Sequence, residues 1–344
     1  MSKFKLIQAG IGRFGKGWLS VVQKSPDFEL AALVDVSPQA LDHAESITGI
    51  GKDRQFASLE QALNSVKADV VLTVTPPAVH LEHTRLATAA GLHVVTEKPM
   101  SVDIASAREM ARLAKAANRH LLVSQNYRFQ PAMATLRRLV RETKPLGELG
   151  HFHLDFYIPA DFTGTFRETM KHVLLVDMAV HHLDLVRAVT GRNITRVYAR
   201  TFKPSWSWYA HNPGLKMTLD LEGDVFGSYS GDWSGKGRNT DWSGEWRLQC
   251  AQGSIHFDRR NPNRIVLARS SRGFKDDSTE QTMLLDEVPH AGQLGTLALL
   301  AHAIRTGETV ELSAESNLWS FAAVMAGVQS AESGQAVDVA SLLK

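Results

Sequence analysis

Cysteine is nearly absent from this sequence of 344 residues, since Cys250 is the only one. No disulfide can form within the chain, and this agrees with a reducing compartment. Long apolar runs are also missing, because no stretch approaches the about 20 residues that a membrane span requires. The first residues enter a strand pattern directly, without the apolar segment of a signal peptide. We therefore expect a cytoplasmic protein that has no membrane partner.

An excess of charge of one sign is missing as well. The chain has 38 Lys and Arg against 36 Asp and Glu, which gives a formal net charge of +2. Nucleic-acid-binding proteins carry clustered Lys and Arg, so we predict no nucleic-acid partner. The composition, with 44% hydrophobic and 22% charged residues, is that of an ordinary globular protein. The length predicts two domains.

The most informative stretch lies at the N-terminus. Leu6–Ala9 predicts a short buried strand, and Gly10, Gly12 and Gly15 follow it with the spacing G-x-G-x-x-G before a predicted helix. In such a unit the first glycine permits a tight turn, the second lets the backbone approach a pyrophosphate, and the third lets the helix pack on the strand. The pattern predicts a dinucleotide site at the helix N-terminus. The alternative is a set of turn glycines without a ligand.

Asp35 supports the dinucleotide interpretation. It ends the next predicted strand, about 20 residues beyond the glycines, where a carboxylate binds the ribose hydroxyls of NAD. No Arg follows it in Val36-Ser37-Pro38 to offset the charge of a 2′-phosphate. We therefore predict NAD rather than NADP as the cofactor.

Strands alternate with helices over the first third of the chain, a pattern that predicts a parallel sheet. In such sheets, ligands bind beyond the carboxyl ends of the strands. We therefore expect residues 1–124 to form a Rossmann domain with one ligand-binding crevice. The predicted strand ends that line this crevice are the glycine segment, Asp35, Thr75–Pro77 with His80, Glu97–Pro99 and residues 125–128.

The periodicity changes after residue 124. Phe152, Leu154, Phe156 and Ile158 alternate with polar residues, which indicates a half-buried strand. Further strand-like runs follow, joined by short links that suit hairpins. We predict that residues 125–344 form an α/β domain with a large, mostly antiparallel open sheet. The chain is thus expected to be α/β throughout, with a helix over residues 173–189.

Three side chains are candidates for proton transfer. Lys98 ends a predicted strand, where an ammonium can bind a substrate oxygen; the alternative is a solvated loop lysine. Asp177 and His181 are four residues apart and share one face of the predicted helix. Because their neighbours are apolar and buried charges are costly unless paired, this polar stripe is either a structural hydrogen bond or a proton-exchanging pair. With His182 these are also metal-ligand types, but they match no recognised metal spacing, and we predict no metal.

Taken together, these segments resemble the Gfo/Idh/MocA family, named after glucose–fructose oxidoreductase and inositol dehydrogenase. Two positions depart from the family pattern: Pro77 replaces an asparagine, and Leu174-Leu175 stands where many members have glycines. We expect these leucines to form a bulkier wall of the substrate pocket. The segments that carry the resemblance are, in order, Gly10-Ile11-Gly12-Arg13-Phe14-Gly15, Thr75-Pro76-Pro77 with His80, Glu97-Lys98-Pro99, Asn126-Tyr127-Arg128-Phe129-Gln130-Pro131 and Asp177-Met178-Ala179-Val180-His181-His182-Leu183-Asp184.

The resemblance implies a bound NAD(P) and hydride transfer at the hydroxyl-bearing carbon of a sugar, cyclitol or related polyol. It implies Lys98, Asp177 and His181 as the catalytic set, and pairing of copies through the C-terminal sheet into a homodimer or homotetramer. The expected cofactor-binding residues are Gly10, Ile11, Gly12, Arg13, Phe14, Gly15, Asp35, Thr75, Pro76, Pro77, His80, Glu97, Lys98, Asn126 and Arg128. The expected substrate-binding residues are Lys98, Tyr127, Tyr157, Arg167, Lys171, His172, Asp177, His181 and His182.

Two other functions remain open at this stage. One is NAD-assisted lysis on the same site, glycoside hydrolysis or elimination, in which transient oxidation of a sugar lets a neighbouring bond break and the hydride then returns. The other is a non-catalytic regulator that senses a dinucleotide. Net production of NADH separates the dehydrogenase from the lytic enzyme, and the presence of Lys98, Asp177 and His181 argues against the regulator.

Overall fold

The structure is a computed structural model, and it describes residues 2–270 and 278–344. The strands are β1 (Phe4–Ala9), β2 (Phe28–Val34), β3 (Gln55–Phe56), β4 (Val70–Thr73), β5 (His93–Thr96), β6 (Leu121–Val123), β7 (Leu149–Tyr157), β8 (Ile194–Phe202), β9 (Gly214–Leu221), β10 (Val225–Asp232), β11 (Glu245–Cys250), β12 (Gly253–Phe257), β13 (Arg264–Arg269), β14 (Thr279–Leu284) and β15 (Val337–Asp338). The α-helices are α1 (Arg13–Lys24), α2 (Pro38–Thr48), α3 (Leu59–Ser65), α4 (His80–Ala89), α5 (Ile104–Ala116), α6 (Pro131–Arg137), α7 (Ala179–Thr190), α8 (Gln293–Thr306) and α9 (Ala314–Ser333).

The chain divides into two compact units. The first comprises Met1–Phe129 and Pro289–Leu318, and the second comprises Gln130–Val288 and Trp319–Lys344. The sequence pattern placed a single boundary after residue 124, so the return of a late segment to the first unit was not expected. Its physical cause is apolar: Leu297 and Leu300 of α8 are buried in one cluster with Leu6, Trp18 and Leu122.

The first unit is built on a parallel sheet. Its six strands lie in the order β3-β2-β1-β4-β5-β6, and every neighbouring pair runs parallel. This is the strand order of a dinucleotide-binding Rossmann sheet, which confirms the predicted fold class. The order reverses direction beside β1, so the carboxyl end of β1 marks the point where such sheets bind ligands.

Local capping explains where the helices of the first unit begin. Ser37 caps α2 by accepting a hydrogen bond from the Ala40 N–H at 3.2 Å, and Gly49 ends that helix with a φ of 70°. Asp103 caps α5, because its carboxylate accepts from the Ser106 N–H at 2.7 Å.

The second unit is built on a mostly antiparallel sheet, as predicted. Among the described residues its nine strands lie in the order β14-β13-β12-β11-β7-β10-β9-β8-β15, with β7 and β10 as the parallel pair. Phe152, Leu154 and Phe156 of β7 are buried on one face. His153 and Asp155, which alternate with them, point to the opposite face, which we call the outer face.

None of the helices within residues 2–270 and 278–344 combines the length and the apolar composition needed to cross a membrane.

Candidate active site

The turn between β1 and α1 requires glycine at two of its three motif positions. Gly10 has a φ of 98°, and a Cβ there would lie 2.4 Å from the Val74 carbonyl oxygen. A Cβ on Gly15 would lie 2.2 Å from the Gly10 carbonyl oxygen. These close approaches are the tight turn and the helix–strand contact that the motif predicts.

Gln8 holds this turn from beneath, and the sequence motif does not include it. Its side chain is fully buried in β1 and donates to the carbonyl oxygens of Gly15 at 2.8 Å and Gly10 at 3.2 Å. Two backbone acceptors of the turn are thus satisfied by one amide. A polar residue within the short, otherwise apolar stretch Leu6–Ala9 is the sequence signal that could have identified it.

Asp35 also contacts the turn. One carboxylate oxygen accepts from the Ile11 N–H at 2.6 Å, and the other accepts from the Ser37 N–H at 2.8 Å. The carboxylate at the end of β2 therefore lies against the glycine segment that ends β1. This position agrees with the expected role beside a ribose, since each carboxylate oxygen can accept a further hydrogen bond.

The turn fits a bound dinucleotide phosphate. Gly12 is the N-cap of α1 and, within the described residues, no side chain caps the helix there. A Cβ on Gly12 would meet no atom within 4 Å, so its outer side is open. Free N–H groups and an open approach at a helix N-terminus suit an anion. Arg13 and Phe14 form the exposed first turn of α1 beside this opening.

Thr75, Pro76 and Pro77 follow β4. The Thr75 hydroxyl is buried and has no hydrogen-bond partner among the described residues, which suits a polar ligand group. The sequence placed His80 beside the cofactor. In the structure its ring is buried, with Nε2 2.9 Å from the Thr75 carbonyl oxygen and Nδ1 3.1 Å from the Met100 carbonyl oxygen. Burial lowers the pKa of His80, and the ring links the loops after β4 and β5.

Glu97 anchors the backbone of Lys98. One carboxylate oxygen accepts from the Trp18 indole N–H at 2.8 Å, and the other accepts from the Lys98 N–H at 3.1 Å. Burial raises the pKa of Glu97, while the Trp18 hydrogen bond opposes that rise. The Glu97 carboxylate thus fixes the main chain at the start of Lys98.

Asn126, Tyr127 and Arg128 form one short 3₁₀ turn, Asn126–Phe129. Arg128 approaches Glu311 at 3.4 Å, and its side chain is only 7% exposed. Arg128 is therefore held within the first unit by a carboxylate from the segment that returns late in the chain. Its expected contact with the cofactor stays a prediction.

The second unit places Asp177 in a π-helical turn. Residues Leu174–Met178 form this turn, and the Ala179 N–H bonds to the Leu174 oxygen across it. The α-helix α7 begins only at Ala179 and carries His181 in its first turn. The regular helix expected over residues 173–189 is thus wider at its start. Single π-turns of this kind are frequent at functional sites.

Leu174 and Leu175 do not form the wall of a pocket, contrary to expectation. Both are at most 1% exposed. Leu174 packs against Gly231 of β10, and Leu175 packs against Gly327 of α9, where an added Cβ would approach to 2.9 and 3.2 Å respectively. Glycines on the opposing elements make room for the larger side chains, so the pair belongs to the core.

Arg167 forms a two-point ion pair with Asp177. Its Nε lies 2.6 Å from one carboxylate oxygen and its Nη2 lies 3.2 Å from the other. The guanidinium also lies over the rings of Phe162 at 5.1 Å and Phe166 at 4.6 Å. Such a forked contact fixes the direction of the carboxylate. Asp177 and His181 are both buried.

His182 and His172 are held by structural partners. The buried His182 ring has Nδ1 3.0 Å from the Tyr229 hydroxyl and Nε2 3.0 Å from the Trp242 oxygen. Burial lowers its pKa to about 4, so it is neutral near pH 7. His172 bonds to Thr201 at 2.9 Å. Both ring nitrogens of His182 are thus bonded inside the unit, and the expected substrate contacts of these two histidines stay a prediction.

The remaining substrate candidates lie in different surroundings. Lys171 is exposed. The Tyr157 hydroxyl bonds to Ser230 and Lys216 on the outer face of the sheet. The second unit thus brings together Arg167, Asp177 and the helix of His181, and it assigns Tyr157 to another cluster. Within the described residues, no group of three or more His, Cys, Asp or Glu is arranged to hold a metal ion.

The sheet order and the glycine turn define a dinucleotide-binding protein of the Rossmann class. A family model described as "Oxidoreductase family, NAD-binding Rossmann fold" matches residues 4–125. The GFO/IDH/MocA C-terminal domain matches residues 133–256. The chain therefore belongs to the Gfo/Idh/MocA family and is an NAD-binding oxidoreductase, which confirms the resemblance and the expected cofactor.

Similar proteins agree with this assignment. The chain is 30% identical to "Uncharacterized protein y4oX" of Sinorhizobium fredii, over 99% of this chain and 97% of that protein. It is 30% identical to inositol 2-dehydrogenase 1 of Paenarthrobacter aurescens, over 58% of this chain and 57% of the enzyme. An Agrobacterium radiobacter oxidoreductase solved with NAD⁺, L-tartaric acid and magnesium has the same fold, with a TM-score of 0.87, 20% identity and coverage of 99% and 100% of the two chains.

Proposed function

We propose that this protein is an NAD-dependent dehydrogenase that acts on a hydroxyl-bearing carbon of a sugar, cyclitol or related polyol. Relatives named inositol 2-dehydrogenase and D-apiose dehydrogenase, each about 30% identical or less over part of the chain, support this substrate class. The observation that carries the proposal is Asp177, held by the Arg167 fork in a π-turn directly before the helix of His181.

In the proposed reaction Lys98, Asp177 and His181 form the acid–base set. A hydride leaves a C–H bond only as the attached hydroxyl loses its proton, so one side chain must accept that proton. Lys98 or His181 accepts it, and Asp177 orients or stabilises the protonated partner. A positioned base of this kind contributes roughly 10²–10⁴ in rate. Bound NAD supplies the hydride chemistry itself.

The cofactor is proposed to lie against the turn formed by Gly10, Gly12 and Gly15, with Asp35 beside the ribose. Two observations support this position. The outer side of Gly12 is open, and the buried Thr75 hydroxyl has no hydrogen-bond partner among the described residues. The carboxylate of Asp35 disfavours a 2′-phosphate, so NAD is preferred over NADP. Copies of the chain are proposed to pair through the C-terminal sheet into a homodimer or homotetramer.

The test is a panel of sugars, cyclitols and sugar acids, with NADH formation followed by absorbance and each assay repeated with NADP. We expect net NADH from at least one polyol and a lower kcat/KM with NADP. Substrate breakdown without net formation of NADH would show that the protein is the NAD-assisted lytic enzyme and not a dehydrogenase. Tight NAD binding without any turnover would instead indicate the dinucleotide-sensing regulator.

A further inference from the structure

The outer face of the second sheet carries a cavity of about 610 Å³ that the proposed activity does not use. Strands β7 to β10 line it. The side chains that matter for its chemistry are His153, Asp155, Tyr157, Arg200, Lys216 and Ser230. Only Tyr157 was considered as a substrate contact from the sequence, and its hydroxyl belongs to this group.

Two cations lie directly opposite each other in this cavity. Arg200 of β8 pairs in register with Lys216 of β9. Neither makes an ion pair with a carboxylate among the described residues. Like charges directly opposite on neighbouring strands repel and destabilise a sheet. The pair therefore lacks a negative charge that would make it favourable.

Another arginine on the same strand shows the usual arrangement. Arg196 of β8 lies four residues before Arg200 and points to the same face. Its register partners are Asp220 on β9 and Asp338 on β15, so acids flank it on both sides. Acidic neighbours thus balance the charge of Arg196, whereas Arg200 faces a second cation, Lys216.

The hydrogen bonds of Lys216 leave donors unused in the cavity. The Lys216 ammonium donates to Ser230 and to the Tyr157 hydroxyl, and these two hydroxyls bond to each other. That triangle leaves one ammonium hydrogen and one hydroxyl hydrogen without an acceptor. Asp155 lies 3.0 Å from His153, and in the strand register Ser230 separates it from Lys216. The unused donors are therefore free to bind acceptor oxygens from outside the chain.

We propose that this cavity binds a small, multiply charged oxyanion, such as a phosphate or a dicarboxylate, between Arg200 and Lys216. The anion supplies the missing negative charge to the two cations and accepts the unused hydrogens of the ammonium and hydroxyl groups. The lining of the cavity includes none of Lys98, Asp177 and His181, so the inference stands independently of the proposed activity.

The experiment titrates inorganic phosphate into the intact protein by calorimetry, with ionic strength held constant by sodium chloride. A second arm uses succinate, which distinguishes a phosphate from a dicarboxylate ligand. We expect saturable binding with at least one of them. Arg200→Met and Lys216→Met should each weaken it by about tenfold, because each removes a charge-assisted contact.

Arg196→Met is the matched control, since it removes the same charge from the same strand and face but leaves the cavity intact. The affinity of this variant for the anion should stay within about twofold of that of the parent. Equal weakening in all three variants would show that net charge alone attracts the anion, which would overturn the proposal. The absence of saturable binding would overturn it as well.

The C-terminal sheet is also proposed to pair copies of the chain, so sedimentation is measured with and without phosphate. If Arg200→Met or Lys216→Met changes the mass of the assembly while phosphate never binds, a second copy covers the cavity and the proposal is overturned. Saturable binding at unchanged mass supports an oxyanion site on the assembled protein.

Discussion

The two units build their candidate sites from different chemical groups: the first uses the main chain and the second uses side chains. In the first unit, glycines and main-chain groups shape the turn, and Gln8 and Asp35 hold that backbone in place. In the second unit, a π-turn and the fork between Arg167 and Asp177 present side chains. A backbone site suits the phosphates common to every dinucleotide, whereas a side-chain site is specific to one substrate and one reaction. The comparison therefore predicts that changes in the first unit alter cofactor binding and stability, and changes in the second alter turnover.

Lys98 provides the strongest challenge to this comparison, because it lies in the first unit and is nevertheless proposed as catalytic. We expect Lys98→Ala and His181→Ala each to lower kcat by about 10²–10⁴, since each removes a positioned proton acceptor. NAD affinity, measured by fluorescence quenching, should stay close to that of the parent. Exposed Lys115→Ala serves as the matched control. Full turnover in either catalytic variant would remove that residue from the proposed set.

Two of the three motif glycines, Gly10 and Gly12, separate folding from cofactor binding within the first unit. Gly10→Ala places a Cβ 2.4 Å from the Val74 carbonyl oxygen at a φ of 98°. The free energy of unfolding should fall by about 3 kcal/mol or more, as for strained backbone with a steric clash. Gly12→Ala meets no atom within 4 Å and should keep its stability while NAD binds about tenfold more weakly. Denaturant unfolding and NAD titration measure both, and equal stability of the two variants would contradict the assigned turn geometry.

The sequence was sufficient where the determining forces are local. The bounds of α2 follow from Ser37, Pro38 and Gly49, and those of β9 follow from its strict alternation. The parallel sheet follows from the order of strands and helices, and the glycine motif follows from its spacing. These elements agree with the structure because neighbouring residues determine them.

Features that depend on distant contacts were not accessible in this way. The return of residues 289–318 to the first unit depends on the fit of α8 against Trp18 and Leu122. The π-turn before α7 leaves the apolar pattern almost unchanged, so periodicity cannot distinguish it from an α-helix. Leu174-Leu175 was expected at a pocket because the pair departs from the family pattern, and the glycines that accommodate it, Gly231 and Gly327, lie far along the chain. The short β3 and β15 and the exposed β14 lack a strong strand pattern of their own.

Arg167 tests how far the second unit depends on orientation. Arg167→Lys keeps the positive charge but loses the fork that contacts both oxygens of Asp177. We expect kcat to fall by about tenfold with a smaller change in KM, because the loss concerns the direction of a carboxylate rather than substrate binding. Thr163→Ala, an exposed change in the same segment, should leave both constants near those of the parent. If Arg167→Lys raises KM alone, the arginine binds substrate and does not position Asp177.

The adjacent histidines sharpen the comparison within the second unit, and here we expect the smallest effect. His182 is neutral in the folded protein because burial lowers its pKa from 6.5 to about 4. The unfolded chain therefore binds a proton that the folded chain does not, so stability is lost as the pH falls from 6.5 towards 4. His182→Gln removes this contribution to the pH dependence of stability. When the pH is lowered from 7.5 to 5.5, the unfolding free energy of the parent should therefore fall by about 1 kcal/mol more than that of the variant.

Urea unfolding of His182→Gln at several pH values measures this difference. His182 contacts Tyr229 and Trp242 inside the unit, so its replacement should change kcat at pH 7.5 far less than His181→Ala does. An unchanged pH dependence of stability would show that the pKa of His182 is the same in the folded and the unfolded chain. A loss of turnover as large as that of His181→Ala, at unchanged stability, would instead place both histidines in the reaction.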